Sequence, residues 1–176
     1  MVIYKRTSKE GELIQILELQ RQNLPVSLSM EEKHREGFVT VSHSLDQLKE
    51  MHQVCPHIIA KDKNRVIGYA LCMHPMFAET VPVLRPMFHE IETMVSKGDK
   101  YMVMGQICIH KKYRKKGVFR KLYQTMKSEL SPEYPTIITE VDTKNERSLK
   151  AHYAVGFKDL KRYHSVNQEW QLISLD

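Results

Sequence analysis

Seven of the eleven residues from Lys111 to Lys121 are cationic: Lys111, Lys112, Arg114, Lys115, Lys116, Arg120 and Lys121. They surround a single glycine, Gly117, with no acid among them. The whole chain of 176 residues carries a formal charge of +6, so without this cluster the remainder is one unit negative. A nucleic-acid surface spreads its cations over a face that meets many phosphates. One compact cluster instead suits a ligand whose phosphates lie close together. A nucleic-acid-binding module built on residues 111–121 stays as a second reading, and it requires further basic or aromatic residues on the same face.

The elements around the cluster are those an anion site needs. Tyr101–Ile109, YMVMGQICI, is a nearly continuous apolar run and reads as a central strand. After the loop, Phe119, Leu122, Tyr123, Met126 and Leu130 fall on one stripe of a helix that stops before Pro132. The first turn of such a helix offers N–H groups without intrahelical partners, and its macrodipole adds about half a positive charge. Gly117 sits where the backbone must approach the ligand, and a side chain there would obstruct it. The loop lacks GxxxxGK[ST] and GxGxxG, which excludes a P-loop and the dinucleotide fingerprint.

The rest of the chain supplies an α/β framework. Val2–Arg6 alternates like a short strand. Ser8 offers a helix cap, followed by Leu13, Ile16, Leu17 and Leu24 at helical spacing up to Pro25. Ser29–Arg35 is a short polar helix ending at Gly37, and Leu45, Leu48 and Met51 mark another. His57–Lys61 and Val66–Met73 form a hairpin across a turn at Asp62–Asn64. His74–Lys100 is a long connection with three prolines. It carries a helix with Met87, Ile91 and Met94 on one face, closed by Gly98; a connection this long is functional or disordered, and its apolar content argues for order. Thr136–Asp142 is a buried strand, Asn145–Val155 a helix with Gly156 just beyond it, and Phe157–His164 with Gln168–Leu172 a closing hairpin. This order gives one domain, 1–176, with a sheet of mixed direction.

The stretch ICIHKKYRKKGVFRKLY resembles motif A of the GNAT-type N-acetyltransferases, a strand followed by R/Q-x-x-G-x-G/A and a helix. Arg114, Gly117 and Phe119 fall on the marked positions, with Phe119 standing where the family usually has Gly or Ala. A large side chain there must turn away from the ligand into the apolar stripe. TEVDTKNERSLKAHYAVGFK resembles the second half of the family pattern, with Glu140, Asn145, Ser148, His152, Gly156 and Phe157 on its positions. The resemblance covers about residues 56–172. It implies a mostly antiparallel central sheet flanked by helices, with splayed central strands, and acetyl-CoA or another acyl-CoA as cofactor. It assigns backbone groups of Ile107, Cys108 and Ile109 to the pantetheine arm. The pyrophosphate falls to the loop of Arg114, Lys115, Lys116, Gly117, Val118, Phe119 and Arg120, and Asn145 and Ser148 flank the cofactor.

Acyl transfer to an amine needs a neutral nucleophile, a stabilised oxyanion and a proton for the leaving thiolate. Glu140, near the end of an apolar strand, is the candidate base, because partial burial raises a carboxyl's pKa toward usefulness. The alternative is a solvated glutamate or one paired with a lysine. The resemblance places the acid at His152, four residues before Gly156, with Tyr153 beside it and turned by about 100° around the helix. By default His152 only packs against the cofactor's arm, and Asn145 is an ordinary helix cap. Cys108 reads as a buried strand residue.

The expected activity is transfer of an acetyl group to a primary amine of a small molecule or peptide, by direct attack in a ternary complex. A non-catalytic CoA-binding or regulatory domain on the same fold is the other alternative. The connection at 74–100, with Phe77, Val81, Val83, Leu84, Met87 and Phe88, suits equally a lid over the acceptor or a contact in a homodimer. The histidines show no metal-binding spacing and no metal is expected. No apolar run reaches the roughly 18 residues of a membrane span, and the N-terminus lacks a secretory h-region. Cys55, Cys72 and Cys108 cannot all pair, which fits reduced thiols in the cytoplasm. Neither nucleic acid nor membrane is an expected partner.

Overall fold

A computed structural model describes residues 1–27, 29–31, 39 and 41–176. The expected helix Ser29–Arg35 with its Gly37 stop lies largely outside the described residues. Among those described, the helices are α1 (Glu10–Arg21), α2 (Leu45–Val54), α3 (Arg85–Glu92), α4 (Val118–Leu130) and α5 (Glu146–Val155). The strands are β1 (Val2–Arg6), β2 (Ile58–Asp62), β3 (Arg65–Met73), β4 (Tyr101–Ile109), β5 (Thr136–Asp142), β6 (Lys158–Ser165) and β7 (Gln168–Leu175). They form two compact units, Met1–Cys72 with Met104–Glu129 and Met73–Val103 with Leu130–Asp176.

In the first unit the strand order is β1-β2-β3-β4. β1 lies antiparallel to β2 from Val2↔Asp62 to Arg6↔Ile58. The β2–β3 hairpin closes at Asp62↔Arg65, with a register shift at Ala60/Lys61. Lys63 takes the left-handed conformation in its turn, φ 53°. α1 buries Leu13, Ile16, Leu17 and Leu19. Its start differs from the expected cap at Ser8. The N-cap is Lys9, with no side-chain cap bond, and the Ser8 N–H instead donates to the Glu12 carboxylate at 2.8 Å. That carboxylate also takes Lys5 and Lys61, each at 2.9 Å. The helix ends at Arg21, before Leu24. α2 begins with a capping box, in which Ser44 Oγ accepts from the Gln47 N–H and Gln47 Oε1 from the Ser44 N–H.

In the second unit the order is β4-β5-β7-β6. β4 and β5 run parallel from Tyr101↔Thr136 to Val103↔Ile138, and the pairing goes no further. β5–β7 and β6–β7 are antiparallel, so the described pairings are antiparallel except β4–β5. The connection at 74–100 is ordered as short turns at Pro75–Phe77 and Pro82–Leu84 followed by α3. Phe77, Val81, Leu84, Met87, Phe88 and Ile91 are buried within the chain itself, and Val83 is 61% exposed. α3 ends at Glu92, so Met94 falls beyond it, 37% exposed, and does not extend the helix face.

Candidate active site

The basic loop lies wholly in the first unit. His110 anchors its start through an N–H bond to the Ile67 carbonyl on β3, 2.8 Å. Gly68, the next residue of β3, is packed so closely that a Cβ would meet the Cys108 carbonyl at 3.3 Å and the side chains of Val118 and Leu122 at 3.4 Å. The glycine therefore lets α4 settle on the strands at the point where the loop leaves them. A glycine within a strand pattern is the signal that could have marked it.

The loop holds two left-handed residues, Lys115 at φ 60° and Gly117 at φ 77°. Such alternation turns successive N–H groups toward one concavity, the form of backbone anion nests. Gly117 also supplies the first carbonyl of α4, accepting from Lys121 at 3.1 Å. A Cβ on Gly117 would meet nothing within 4 Å. Within the protein the glycine is thus required by its φ, and the space before it stands open for a ligand. Lys111, Lys112, Lys115, Lys116, Arg120 and Lys121 are exposed around it. A cradle of backbone donors, open at the glycine and ringed by cations, fits the pyrophosphate of a coenzyme A thioester.

Three side chains brace the loop. Arg114 turns back on the scaffold, its Nε donating to the Ile109 carbonyl at 3.1 Å and a terminal nitrogen to Asn23 Oδ1 at 2.6 Å. Tyr113 donates to Asp62 at 2.6 Å, and Lys116 stands 5.6 Å over the Tyr113 ring. Phe119 is half-buried with its edge against Tyr123, ring centroids 5.2 Å apart. Its departure from the family's small residue is thus taken up along the helix, where Val118, Leu122, Tyr123, Met126 and Leu130 form the buried seam. Cys108 is buried, which pushes its thiol up to about 12. On β4, Gln106 is fixed by Tyr69, which donates to its Oε1 at 2.6 Å, and by its own bond to the Val41 carbonyl at 2.7 Å. Nothing in the sequence pattern marked that pair.

In the second unit Glu140 lies on β5 opposite Leu172 of β7. The residue keeps some exposure, but burial of its carboxyl raises the pKa to about 7, with the Tyr163 hydroxyl pulling the other way. Tyr163 of β6 donates its hydroxyl to Glu140 Oε2 and is itself 8% exposed. Burial first, then the carboxylate, pushes this phenol well above its ordinary value. Tyr163 was not among the residues expected from the sequence.

α5 carries the other expected residues. Asn145 caps it, Oδ1 accepting from the Ser148 N–H at 3.1 Å, and Gly156 ends it at φ 119°. His152 is 1% exposed. Its Nδ1 lies 2.8 Å from the Ser148 carbonyl, which only accepts, so Nδ1 carries the proton. Its ring meets Phe157 edge-on at 5.1 Å, and burial holds its pKa down at about 4. A neutral imidazole so fixed has no acidic proton to give near neutral pH. Tyr153 is 40% exposed and donates to Asp159 at 2.6 Å. Burial and that carboxylate raise its pKa to about 12. Among the described residues no group of His, Cys, Asp and Glu is placed to hold a metal ion, and no described helix is long and apolar enough to cross a membrane.

An open loop of cations at a helix start and a buried carboxyl are groups that an acyltransferase using a coenzyme A thioester could employ. Residues 13–157 match the Acetyltransferase (GNAT) family, and the chain belongs to it, as an acyl-CoA-dependent acetyltransferase. No curated protein matches the chain at a significant level. Solved structures share its fold. A chain of the NatC complex bound to Gag peptide and CoA aligns at TM-score 0.67 and 17% identity, covering 99% of this chain and 97% of that one. The ribosomal-protein-S18-alanine N-acetyltransferase from Escherichia coli aligns at 0.63 and 12%, covering 99% and 93%. The yncA protein of Salmonella typhimurium with its cofactor acetyl-CoA aligns at 0.62 and 13%, covering 99% and 92%.

Proposed function

We propose that this protein transfers an acetyl group from acetyl-CoA to a primary amine of a small molecule or peptide, with Glu140 as the base. The observation that carries the assignment is the buried Glu140 carboxyl, whose pKa near 7 lets it both lose and regain a proton at working pH. The backbone from Lys115 to Arg120 and the surrounding cations would hold the pyrophosphate, and the bound cofactor supplies the acetyl group as a thioester. Glu140 takes the proton that the acceptor nitrogen must lose as its bond to the acyl carbon forms. His152 occupies the family's acid position with Tyr153 beside it, but their hydrogen bonds give both structural work. His152 ties Ser148 to Phe157 and Tyr153 ties α5 to Asp159. The S18-alanine enzyme and the peptide-bound NatC complex favour a peptide amine over a free small molecule as acceptor. The family match runs through both compact units, which supports one acetyltransferase domain over 1–176. Three buried cysteines, none of them in a disulfide, favour the cytoplasm.

Two variants and an amine panel test the reading. Gly117→Glu places a bulky anion in the cradle and at a left-handed φ, so it abolishes saturable CoA binding measured by calorimetry. Glu140→Gln leaves CoA binding intact and lowers turnover at least ~100-fold, the scale of lost general base catalysis. Wild-type turnover in Glu140→Gln removes the residue from the base role. CoA binding without turnover of any amine, peptide termini included, would make the chain a non-catalytic CoA-binding domain.

A further inference from the structure

We propose that Tyr163 is a positioning residue for acetyl transfer, its hydroxyl holding the Glu140 carboxylate in one orientation and stabilising its ionised form. The inference rests on the assignment of Glu140 as base and concerns what tunes it.

The strand register makes the pairing possible. Glu140 of β5 faces Leu172 of β7, and Leu172 in turn faces Lys161 of β6. Tyr163, two residues on from Lys161, lies on the same face of the sheet. The two partners are thus separated by a whole strand, about 10 Å in the hydrogen-bonding direction, plus a diagonal step. Leu172 between them is fully buried. A long, stiff phenol is the side chain that spans such a gap and delivers one donor at its end; serine or threonine would fall short. Tyr163 is held by burial rather than by chance, and it has a single hydroxyl proton to place.

The other charged and titratable groups around the pair do not substitute for it. From α3, Glu90 lies near enough to act on Tyr163, and it is engaged by Lys161 of β6 at 2.5 Å. From α5, which packs on β5, His152 is buried and neutral. β7 contributes the apolar Leu172. The Tyr163 hydroxyl is therefore the polar contact that favours the charged carboxylate, against a burial that disfavours it. Removing the donor leaves burial unopposed, so the carboxyl should hold its proton to higher pH.

Side-chain 13C NMR titration of Glu140 in the 176-residue chain reads this without any acceptor. In Tyr163→Phe the midpoint should rise by about half a pH unit or more, with CoA affinity unchanged. With the amine identified by the panel, the acidic limb of kcat/KM should move up by the same interval. Activity would then fall roughly 3- to 10-fold on that limb and recover toward the wild-type plateau at high pH. A Glu140 midpoint and limb identical to wild type, or a loss equal at every pH, overturns the proposal. Thermal unfolding checks that the Tyr163→Phe variant folds. If it does not, Glu140→Asp, which shortens the reach to Tyr163 from the other side, should show the same upward displacement of its carboxyl titration. The two readings fail separately. Glu140→Gln with full turnover sinks the base assignment, whereas an inactive Glu140→Gln beside an unshifted Tyr163→Phe sinks the role of Tyr163 alone.

Discussion

Burial raises the pKa of both Glu12 and Glu140, and their different partners then set their different uses. At Glu12 the ammonium groups of Lys61 and Lys5 and the Ser8 N–H overcome burial and bring the value to about 2. That carboxylate stays charged down to about pH 2 and ties α1 to β1 and β2. Glu140 has one neutral phenol and remains at about 7. A proton affinity raised in the folded state stabilises the fold below the unfolded pKa, and the benefit is lost as pH rises through the folded one. For Glu140 that window runs from 4.5 to about 7, and the rise corresponds to roughly 3 kcal/mol at about 1.4 kcal/mol per pH unit. The ionised base at pH 8 is then a cost of the active site. Glu140→Gln should accordingly unfold at a higher temperature than wild type at pH 8 and at nearly the same temperature at pH 5. Equal Tm differences at the two pH values would show that the carboxyl is not buried as described.

At the scale of elements, the β6–β7 hairpin contains a correctable flaw. Ser165 pairs with Gln168, so Val166 and Asn167 form a two-residue turn with φ 49° and 59°. Both central residues of such a turn take positive φ, which suits Asn and Gly and penalises a β-branched residue. Val166 is 87% exposed, so its side chain returns little packing for that strain. Val166→Asn should stabilise the protein by about 1 kcal/mol and raise Tm by a few degrees; a lower Tm would mean that the valine makes a contact worth more than the strain. This turn also marks the limit of what the sequence could tell. Its position was readable from the gap between two strand-like runs, but its handedness was not, because valine carries no signal for positive φ. β4, β5 and the loop between Ile109 and Val118 were legible because apolar runs and a charge cluster are local patterns. The start of α1 was not, since Glu12 answers to Lys61, which only the fold brings near. Tyr163 was hidden for the same reason: its partner lies 23 residues away across an intervening strand, and no spacing rule links them.

For the molecule as a whole, the buried histidines govern its response to acid. Burial holds His43 and His152 at about 4 and His57 at about 3. Each is fixed as a neutral ring: His57 donates to the Leu48 carbonyl at 3.3 Å and accepts from the Cys72 N–H at 3.2 Å, while His43 bonds Gln20 at 2.9 Å. In the unfolded chain these rings take protons near pH 6.5, so between their folded and unfolded values the unfolded state binds more protons and stability must fall as pH falls. From pH 7 to pH 5 each histidine forfeits roughly 2 kcal/mol. Glu140 returns about 2 kcal/mol over the same interval, because its protonation favours the folded state. Glu12 stays charged in the folded state to about pH 2 and begins to cost stability only below its unfolded value. The net expectation is a loss of roughly 4 kcal/mol between pH 7 and pH 5, a large share of an ordinary domain's stability. Urea unfolding followed by circular dichroism at the two pH values measures it, at constant ionic strength so that screening of the basic loop does not change. A midpoint that holds steady or rises toward pH 5 would mean that the three rings are reached by water and protonate in place.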